Sequence, residues 1–271
     1  MKHISKITAI ALLATLSACE GSDMPIQQAD NHGYISFSAQ PQKTATRANP
    51  YEAYDPTRHP ATMGTFGYYD MPKRYASAAN TIFNNETATY NVATYGWDTA
   101  TKKRWTEYTK ASSFDFFAYM PYTGGATLLR TANNTYTLSF PFAMSDGGNH
   151  VPVIYDTKAA PIICAVPSSK GAITDSNGGG TVSLKFDQTL TGYKLLFMLG
   201  TKMNAIRHFR IKSVTLSGSF STSCTISRSY VWNTTSKSWS ASAITWSDIK
   251  RQSFVETPFP IAYKGYGSAD Y

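Results

Sequence analysis

The fold of this 271-residue chain is indicated most clearly by one short run, Phe114-Asp115-Phe116-Phe117-Ala118-Tyr119. This run is the most apolar stretch in the first half of the chain, and its aromatic residues favour a β-strand. Pro121 and the Gly124-Gly125 pair follow it, and both are typical of turns. We therefore predict a strand that ends at this turn.

Further strand-like segments lie on both sides of this run, with turn residues between them. They span 34–38, 65–69, 82–90, 95–97, 105–108, 136–142, 151–155, 182–186, 193–199, 206–216, 226–232 and 239–246. Short strands at a spacing of roughly 8–12 residues predict β-sandwiches. The 42% of hydrophobic and 14% of aromatic residues exclude a wholly disordered chain. Long Leu/Ala/Glu/Lys-rich windows are absent, which excludes a coiled coil, a helical bundle and a polytopic membrane protein.

The best candidate for a linker is 167–180, which combines Ser, Lys and Asn with a Gly-Gly-Gly run. This segment divides the strand-like segments into two groups. We therefore expect an all-β protein with an N-terminal β-sandwich domain over 34–166, a linker over 167–180 and a C-terminal β-sandwich domain over 181–271.

The first nineteen residues have the features of an export signal. Residues 1–6 are basic, and the apolar segment 7–15 is far shorter than the ~20 residues that a membrane-spanning helix needs. The next residues, Leu16-Ser17-Ala18-Cys19, resemble a bacterial lipobox, in which the cysteine becomes the lipidated first residue. We predict a signal peptide over 1–18, a lipid attached to Cys19 and a polar tether over 19–33. The alternative is an ordinary secretory signal with a chance cysteine.

The tether also indicates where the exported chain resides. Its acidic start, Glu20 and Asp23, is a weak indicator of transport to the outer face of the outer membrane. Several acyl chains on one cysteine give a firm hold on a bilayer. We therefore expect a surface-exposed protein of the cell outer membrane.

The net charge of +8 does not indicate a nucleic-acid partner. Lys2 and Lys6 belong to the predicted signal peptide, so 25 − 2 = 23 basic residues remain against 17 acidic ones, a net charge of +6. These basic residues are scattered along the chain, as on an ordinary solvated surface. We therefore expect no nucleic-acid binding.

No residue pattern indicates catalysis or metal binding. The chain lacks a G-x-S-x-G elbow, a Walker loop, an H-E-x-x-H motif and a Gly-rich dinucleotide fingerprint. Its histidines stand apart from one another, and the nearest cluster, 146–150, is typical of a Gly-rich turn. We expect no enzyme, no metal and no cofactor, although paired carboxylates from distant strands stay an open alternative.

Two cysteines remain after Cys19. Cys164 and Cys224 are sixty residues apart, and neither has a neighbour at a metal-ligand spacing. One alternative is a single disulfide formed in an oxidising compartment, and the other is two buried free thiols. The sequence leaves both alternatives open.

Seven aromatic residues of the first half have two interpretations. They are Tyr68, Tyr69, Tyr95, Trp97, Trp105, Tyr108 and Tyr119. Alternating aromatic side chains in strands usually form core and cross-strand pairs, which is the stronger interpretation. The flat faces of Tyr and Trp also stack on sugars, and in that case Trp97 and Trp105 are the candidate glycan-stacking residues.

The order of several motifs along the chain resembles the fimbrillin lipoproteins of Bacteroidetes, which are subunits of type V pili. After the lipobox come Tyr34-Ile35-Ser36-Phe37, Thr46-Arg47-Ala48, Phe66-Gly67-Tyr68-Tyr69 and the segments 114–122, 153–156, 182–186 and 211–218. Within 114–122, the run Asp115-Phe116-Phe117-Ala118-Tyr119-Met120-Pro121-Tyr122 is similar to the family's "DFFAYxPY" signature. The resemblance extends from residue 19 to about 245. The match after Trp246 is poor, which leaves the completeness of the second sandwich open.

This resemblance implies a fold and an assembly mechanism. The family has two β-sandwich domains of transthyretin-like type and no catalytic activity. A protease cuts the lipidated precursor after an arginine in the loop that follows the first strand, and Arg47 matches that site. Removal of the first strand then exposes a groove that a strand of a neighbouring subunit fills by β-strand addition.

We therefore expect a structural or adhesive subunit of cell-surface fimbriae, exported as an outer-membrane lipoprotein and assembled by proteolysis-triggered strand exchange. Its expected partners are other fimbrillin subunits, the outer membrane through the lipid anchor, and a host protein or glycan. The alternative is a monomeric glycan-binding surface lipoprotein that uses the aromatic residues as a stacking platform. The role as a shaft, anchor or tip subunit stays open.

Overall fold

The computed structural model of the protein describes residues 33–41, 60–71, 78–143, 160–174, 178–190 and 216–256. Their strands are β1 (Ser36–Pro41), β2 (Thr62–Tyr69), β3 (Thr81–Asn91), β4 (Gly96–Thr99), β5 (Ser113–Met120), β6 (Thr127–Ala132), β7 (Thr135–Ala143), β8 (Ile162–Cys164), β9 (Ser168–Gly171), β10 (Thr181–Gln188), β11 (Leu216–Asn233), β12 (Ser238–Ala241) and β13 (Thr245–Glu256). Two short 3₁₀ helices, Ala78–Asn80 and Trp105–Tyr108, accompany them, so the fold is all-β. No helix within these ranges has the length and apolarity to cross a bilayer.

The first sheet closes on itself. Its strand order is β2-β3-β4-β1-β10-β8-β5, and β5 pairs back with β2, so these strands form a barrel-like ring. Strand β9 pairs with the first half of β5, beside the short β8. Within the described pairings, β1 and β10 run parallel, while the other ladders are antiparallel. Closure protects the strand edges that an open sheet presents to other chains.

The second sheet packs against β5 of the barrel. Its order is β12-β11-β7-β6, and β13 also pairs with β11. The Phe117 ring lies 5.4 Å from the Tyr230 ring, and the Tyr119 ring stacks on Phe140 at 4.5 Å. On the opposite face of β5, Phe116 is fully buried in the barrel core. Because both faces of β5 are buried, its sequence is a continuous apolar run with little polar alternation.

The strand predicted at 114–119 is confirmed as β5, and the strand predicted at 34–38 overlaps β1. The prediction for 105–108 is wrong, since Trp105–Tyr108 is a 3₁₀ helix. A local bond stabilises this turn, because the Arg104 amide donates to the Glu107 carboxylate at 3.0 Å. The predicted segments 151–155 and 193–199 lie outside the described residues, as does nearly all of 206–216.

Three strands, β6, β8 and β9, have no counterpart in the sequence prediction. Strand β6 buries Leu128 and leaves its other side chains exposed, so it carries no clear alternation. Strand β9 consists of Ser168–Gly171, which are polar or small residues inside the expected linker. Strand β6 is defined by its ladder to β7, and strands β8 and β9 are defined by their ladders to β5. Local sequence does not reveal these contacts.

The sheet pairing does not follow the expected division of the chain into two domains. Strand β10, from the expected second domain, pairs with β1 over six residues inside the barrel. Strand β11 pairs with β7, from the expected first domain, over nine residues. Both sheets therefore combine strands from before and after 167–180. Apart from Gly33, the predicted signal peptide (1–18) and tether (19–33) lie outside the described residues.

The two cysteines of the described region are free thiols, so the disulfide alternative is wrong. The Cys164 side chain is fully buried, and its sulfur lies 2.9 Å from the Tyr230 hydroxyl oxygen. Burial raises the pKa of Cys164 to about 11. Because the thiolate is the reactive form, this cysteine is chemically inert at neutral pH.

Candidate functional site

Strand β1 occupies a central position in the barrel. It pairs with β10 from Ser36 opposite Thr181 to Pro41 opposite Phe186, and its other side faces β4, with Phe37 opposite Trp97. The N-terminal end is tied to the segment after β4 by two backbone bonds. The Ile35 amide donates to the Lys103 carbonyl at 2.8 Å, and the Trp105 amide donates to the Gly33 carbonyl at 2.9 Å. Residues 33–37 are therefore tied to β4 and the segment after it, and residues 36–41 are paired with β10.

The side chains of this segment fill part of the barrel core. Phe37 is fully buried and Ile35 is 2% exposed. The Phe37 ring makes edge contacts with Phe83 at 5.8 Å and Phe116 at 5.7 Å between ring centroids. Without β1, strands β4 and β10 would each lose one of their two partners, and an apolar slot beside Phe83 and Phe116 would face water. We take this slot, filled by β1, as the candidate functional site.

The two ends of β1 lead to the residues predicted to be modified. The chain before Gly33 leads back to Cys19, the predicted lipid-attachment residue, which lies outside the described residues. The chain after Pro41 enters 42–59, which contains Arg47, the predicted processing residue, and is also outside them. Only five residues separate Pro41 from Arg47 along the chain. A cut after Arg47 would therefore sever β1 from the rest of the barrel.

The structure places the two candidate glycan-stacking residues in the core. Trp97 and Trp105 are each 1% exposed, so neither has a face available to a sugar. The Trp97 ring packs against Tyr90 at 5.5 Å, and the Trp105 ring packs against Phe114 at 5.2 Å. The Trp105 indole also donates to the Gly180 carbonyl at 3.1 Å. The stacking interpretation of these residues is wrong, and the core interpretation is confirmed.

The other aromatic residues of the expected platform are not gathered on one surface either. Tyr68 and Tyr119 are buried, and Tyr69 and Tyr108 pack partly buried against the core. Tyr95 is 64% exposed at the turn between β3 and β4. Alternation in the sequence could not reveal which of these aromatic side chains are buried, because a strand in a closed ring buries one face and β5 buries both.

A buried carboxyl lies between the barrel and the second sheet, and the sequence analysis did not single it out. Asp115 is 1% exposed, and its Oδ1 accepts hydrogen bonds from Ser169 Oγ at 2.5 Å and Trp239 Nε1 at 2.8 Å. Its Oδ2 is buried without a hydrogen-bond partner among the described residues. Burial raises the pKa of Asp115, and the Asp70 charge adds to this, while the two hydrogen bonds oppose it. The signal in the sequence was a charged residue inside the most apolar run.

The replacement Asp115→Asn is expected to flatten the pH dependence of stability. In the native chain the folded pKa lies above the unfolded value of about 3.9, so the protonated carboxyl favours folding. This contribution is full below about pH 4 and is lost as pH rises through the folded pKa. Urea unfolding of both chains between pH 4 and pH 8 measures the difference. The exposed Asp248→Asn is the matched control, and equal pH profiles for all three chains would contradict the assignment.

Comparisons with known proteins give one structural similarity. No family model and no curated protein matches the chain. A crystal structure of a candidate cell adhesion protein from Bacteroides ovatus aligns with 85% of this chain and 74% of its own chain, at 11% identity and a TM-score of 0.39. Similarity at this level carries no conclusion about fold or binding.

Proposed function

We propose that this chain is a structural or adhesive subunit of cell-surface fimbriae, exported as an outer-membrane lipoprotein and assembled by proteolysis-triggered strand exchange. The position of β1 carries the proposal. It is a buried N-terminal strand, preceded by a lipobox at Cys19 and followed within six residues by Arg47. These three features occur in the order that the mechanism needs.

The burial of β1 favours its replacement by another strand over its removal without replacement. Full burial of side chains such as Phe37 and Ile35 contributes about 1.5–3 kcal/mol each. Removal of β1 would lose this contribution to stability. It would also leave backbone groups of β4 and β10 unpaired. A strand from another copy that supplies two apolar side chains at the same spacing would restore both. The partner in this proposal is therefore another fimbrial subunit that adds a strand to the open barrel.

The proposal also covers the chain's other interactions. The acylated Cys19 anchors the precursor in the outer membrane until it is processed, and a host protein or glycan is the ligand of the assembled fibre. The chain carries no catalytic activity and no cofactor in this proposal. The glycan-binding alternative loses its main support, because Trp97 and Trp105 are buried.

Replacement of Arg47 by Ala is expected to stop maturation. The protein purified from native outer membranes should then begin at acylated Cys19 and migrate as a monomer, whereas the native chain should begin at Ala48 and form high-molecular-weight ladders. Intact mass and N-terminal sequencing measure this difference. Arg58→Ala is the matched control, since Arg58 lies in the same segment, 42–59, and its loss should leave the ladders intact.

Two results would contradict different parts of the proposal, the processing step and the lipid anchor. Ladders from the Arg47→Ala chain that match the native ones would exclude processing at this residue. Full retention of a Cys19→Ser chain in the membrane after a high-salt wash, which screens electrostatic binding, would exclude the lipid anchor, independently of whether the processing step occurs.

A further inference from the structure

The two ends of the barrel differ in charge. One end, here called the tether end, comprises residues 33–34, 100–111, 170–171 and 178–181. Three contacts join these segments: the Tyr34–Arg104 bridge, the bond from the Trp105 indole to the Gly180 carbonyl at 3.1 Å, and the bond from Lys170 Nζ to the Gly179 carbonyl at 2.6 Å. The chain from Cys19 enters the barrel here, because Gly33 precedes β1.

The other end, here called the far end, comprises residues 60–62, 90–96, 120–125 and 188–190. The Tyr90 amide donates to the Ala61 carbonyl at 3.0 Å, and the Tyr122 amide donates to Thr62 Oγ1 at 3.3 Å, which joins these segments. None of these segments contains a charged residue. The far end instead exposes the apolar side chain of Val92 and the Tyr95 ring.

The tether end, in contrast, is basic. Its basic residues are Lys102, Lys103, Arg104, Lys110 and Lys170. Three carboxylates reach the same end. Glu107 Oε1 accepts from the Arg104 amide at 3.0 Å, Glu86 Oε1 accepts from the Thr101 amide at 2.8 Å, and Asp70 Oδ1 accepts from the Ser112 amide at 2.8 Å. Five positive charges against three negative ones leave an excess of two positive charges.

Part of this basic surface is held in a fixed arrangement. The Arg104 guanidinium lies 4.8 Å from the centroid of the Tyr34 ring and donates to the Tyr34 hydroxyl at 2.9 Å. Lys102 Nζ lies 5.7 Å from the same ring. Two cations beside one tyrosine combine charge with an aromatic side chain that has an apolar face and a polar hydroxyl, a combination suited to a membrane–water interface.

We propose that the tether end docks on the phosphate headgroups of an anionic lipid surface in the unprocessed chain. This inference rests on the lipid anchor of the proposed function. Thirteen residues, 20–32, separate Cys19 from Gly33. A chain of that length reaches at most about 45 Å even when fully extended, so an anchored lipid keeps the tether end within that distance of the bilayer. Its positive charge then matches the negative surface potential of the membrane, and the uncharged far end faces away.

Vesicle binding of the chain from Glu20 to Tyr271, which contains every described residue and no lipid, tests this docking. The probes are vesicles of phosphatidylglycerol and phosphatidylcholine in equal amounts, and vesicles of phosphatidylcholine alone. Each basic residue near an anionic surface contributes roughly fivefold to partitioning. The double replacement of the exposed Lys102 and Lys110 by Gln is therefore expected to lower binding to the anionic vesicles by about 25-fold.

The matched control replaces Lys250 and Arg251 by Gln. Both are exposed on β13, where Lys250 pairs with Ser223 of β11. Ser223 in turn pairs with Ala143 of β7. Three residues before Ala143, the Phe140 ring stacks on Tyr119, which lies near the far end. The control removes the same charge and should bind like the parent chain. Equal thermal melting of both variants and the parent shows that the fold is intact.

Three outcomes would overturn the proposal: equal losses in both double variants, equal binding of the parent to both kinds of vesicle, and complete displacement by stoichiometric inorganic polyphosphate. The last result would identify a soluble phosphate polymer, rather than a membrane, as the ligand. None of these readouts depends on lipidation or on cleavage after Arg47. A failure of docking is therefore distinguishable from a failure of the fimbrial function.

Discussion

The replacement Phe37→Ala is expected to lower the free energy of unfolding by about 3–5 kcal/mol, the cost of removing a buried phenylalanine from a core. Phe37 is fully buried, and its ring contacts Phe83 and Phe116. Those rings belong to β3 and β5, which the ladders of the closed sheet hold in place. The cavity therefore cannot close easily, and the loss should lie at the upper end of this range.

Urea unfolding of the chain from Glu20 onwards measures this loss. Tyr95→Ala is the matched control, because Tyr95 is an aromatic residue that is 64% exposed, and its replacement should change stability by less than about 0.5 kcal/mol. Equal losses in the two variants would mean that β1 does not contribute to the barrel core. Removal of β1 would then open no apolar slot in the barrel.

The replacement Gly64→Ala is expected to destabilise the barrel by about 3 kcal/mol, which is large for the addition of one methyl group. A Cβ at this position would lie 2.6 Å from the Tyr119 hydroxyl oxygen and closer still to two carbons of the same ring. The ring cannot withdraw, since it stacks on Phe140 at 4.5 Å. Its hydroxyl is also fixed, because it donates to Asn85 Oδ1 at 2.7 Å and accepts from the Thr123 amide at 3.0 Å.

A double replacement tests whether the overlap with Tyr119, and not a general intolerance of substitutions in β2, destabilises the Gly64→Ala chain. In the Tyr119→Ala background the added methyl group meets no ring, so the cost of Gly64→Ala should fall well below its cost in the native chain. Gly171→Ala is the control for the substitution itself, because a Cβ at that position would have no neighbour within 4 Å among the described residues. Additive losses in the double variant would show that the Tyr119 contact is not the cause.

The candidate site could be predicted from the sequence in part. The alternation at 34–38 identified the first strand, whereas processing at Arg47 stays a prediction, because Arg47 lies outside the described residues. The neighbours of β1 could not be predicted, because its partner β10 lies more than 140 residues away along the chain. Parallel pairing at that distance depends on the global arrangement of strands and leaves no local pattern.

The aromatic residues illustrate the same limit. The pattern around Trp97 and Trp105 is compatible with an exposed platform and with a core, since both place aromatic side chains on strands or turns. Closure of the ring decides between them, because it turns one face of each ring strand inward. Asp115 is the opposite case, in which a charged residue in an apolar run was visible, but its burial depends on Ser169 and Trp239 from distant strands.

The sequence by itself determined the all-β class, the strand at 114–119 and the features expected of an export signal, because these depend on local composition and alternation. Tertiary structure alone decided that the sheet closes, that β1 lies between β4 and β10, and that β5 is covered by a second sheet. It also decided that basic residues from separate segments meet at the tether end. These outcomes depend on which distant strands pair, and that choice is made by the packing of the whole core.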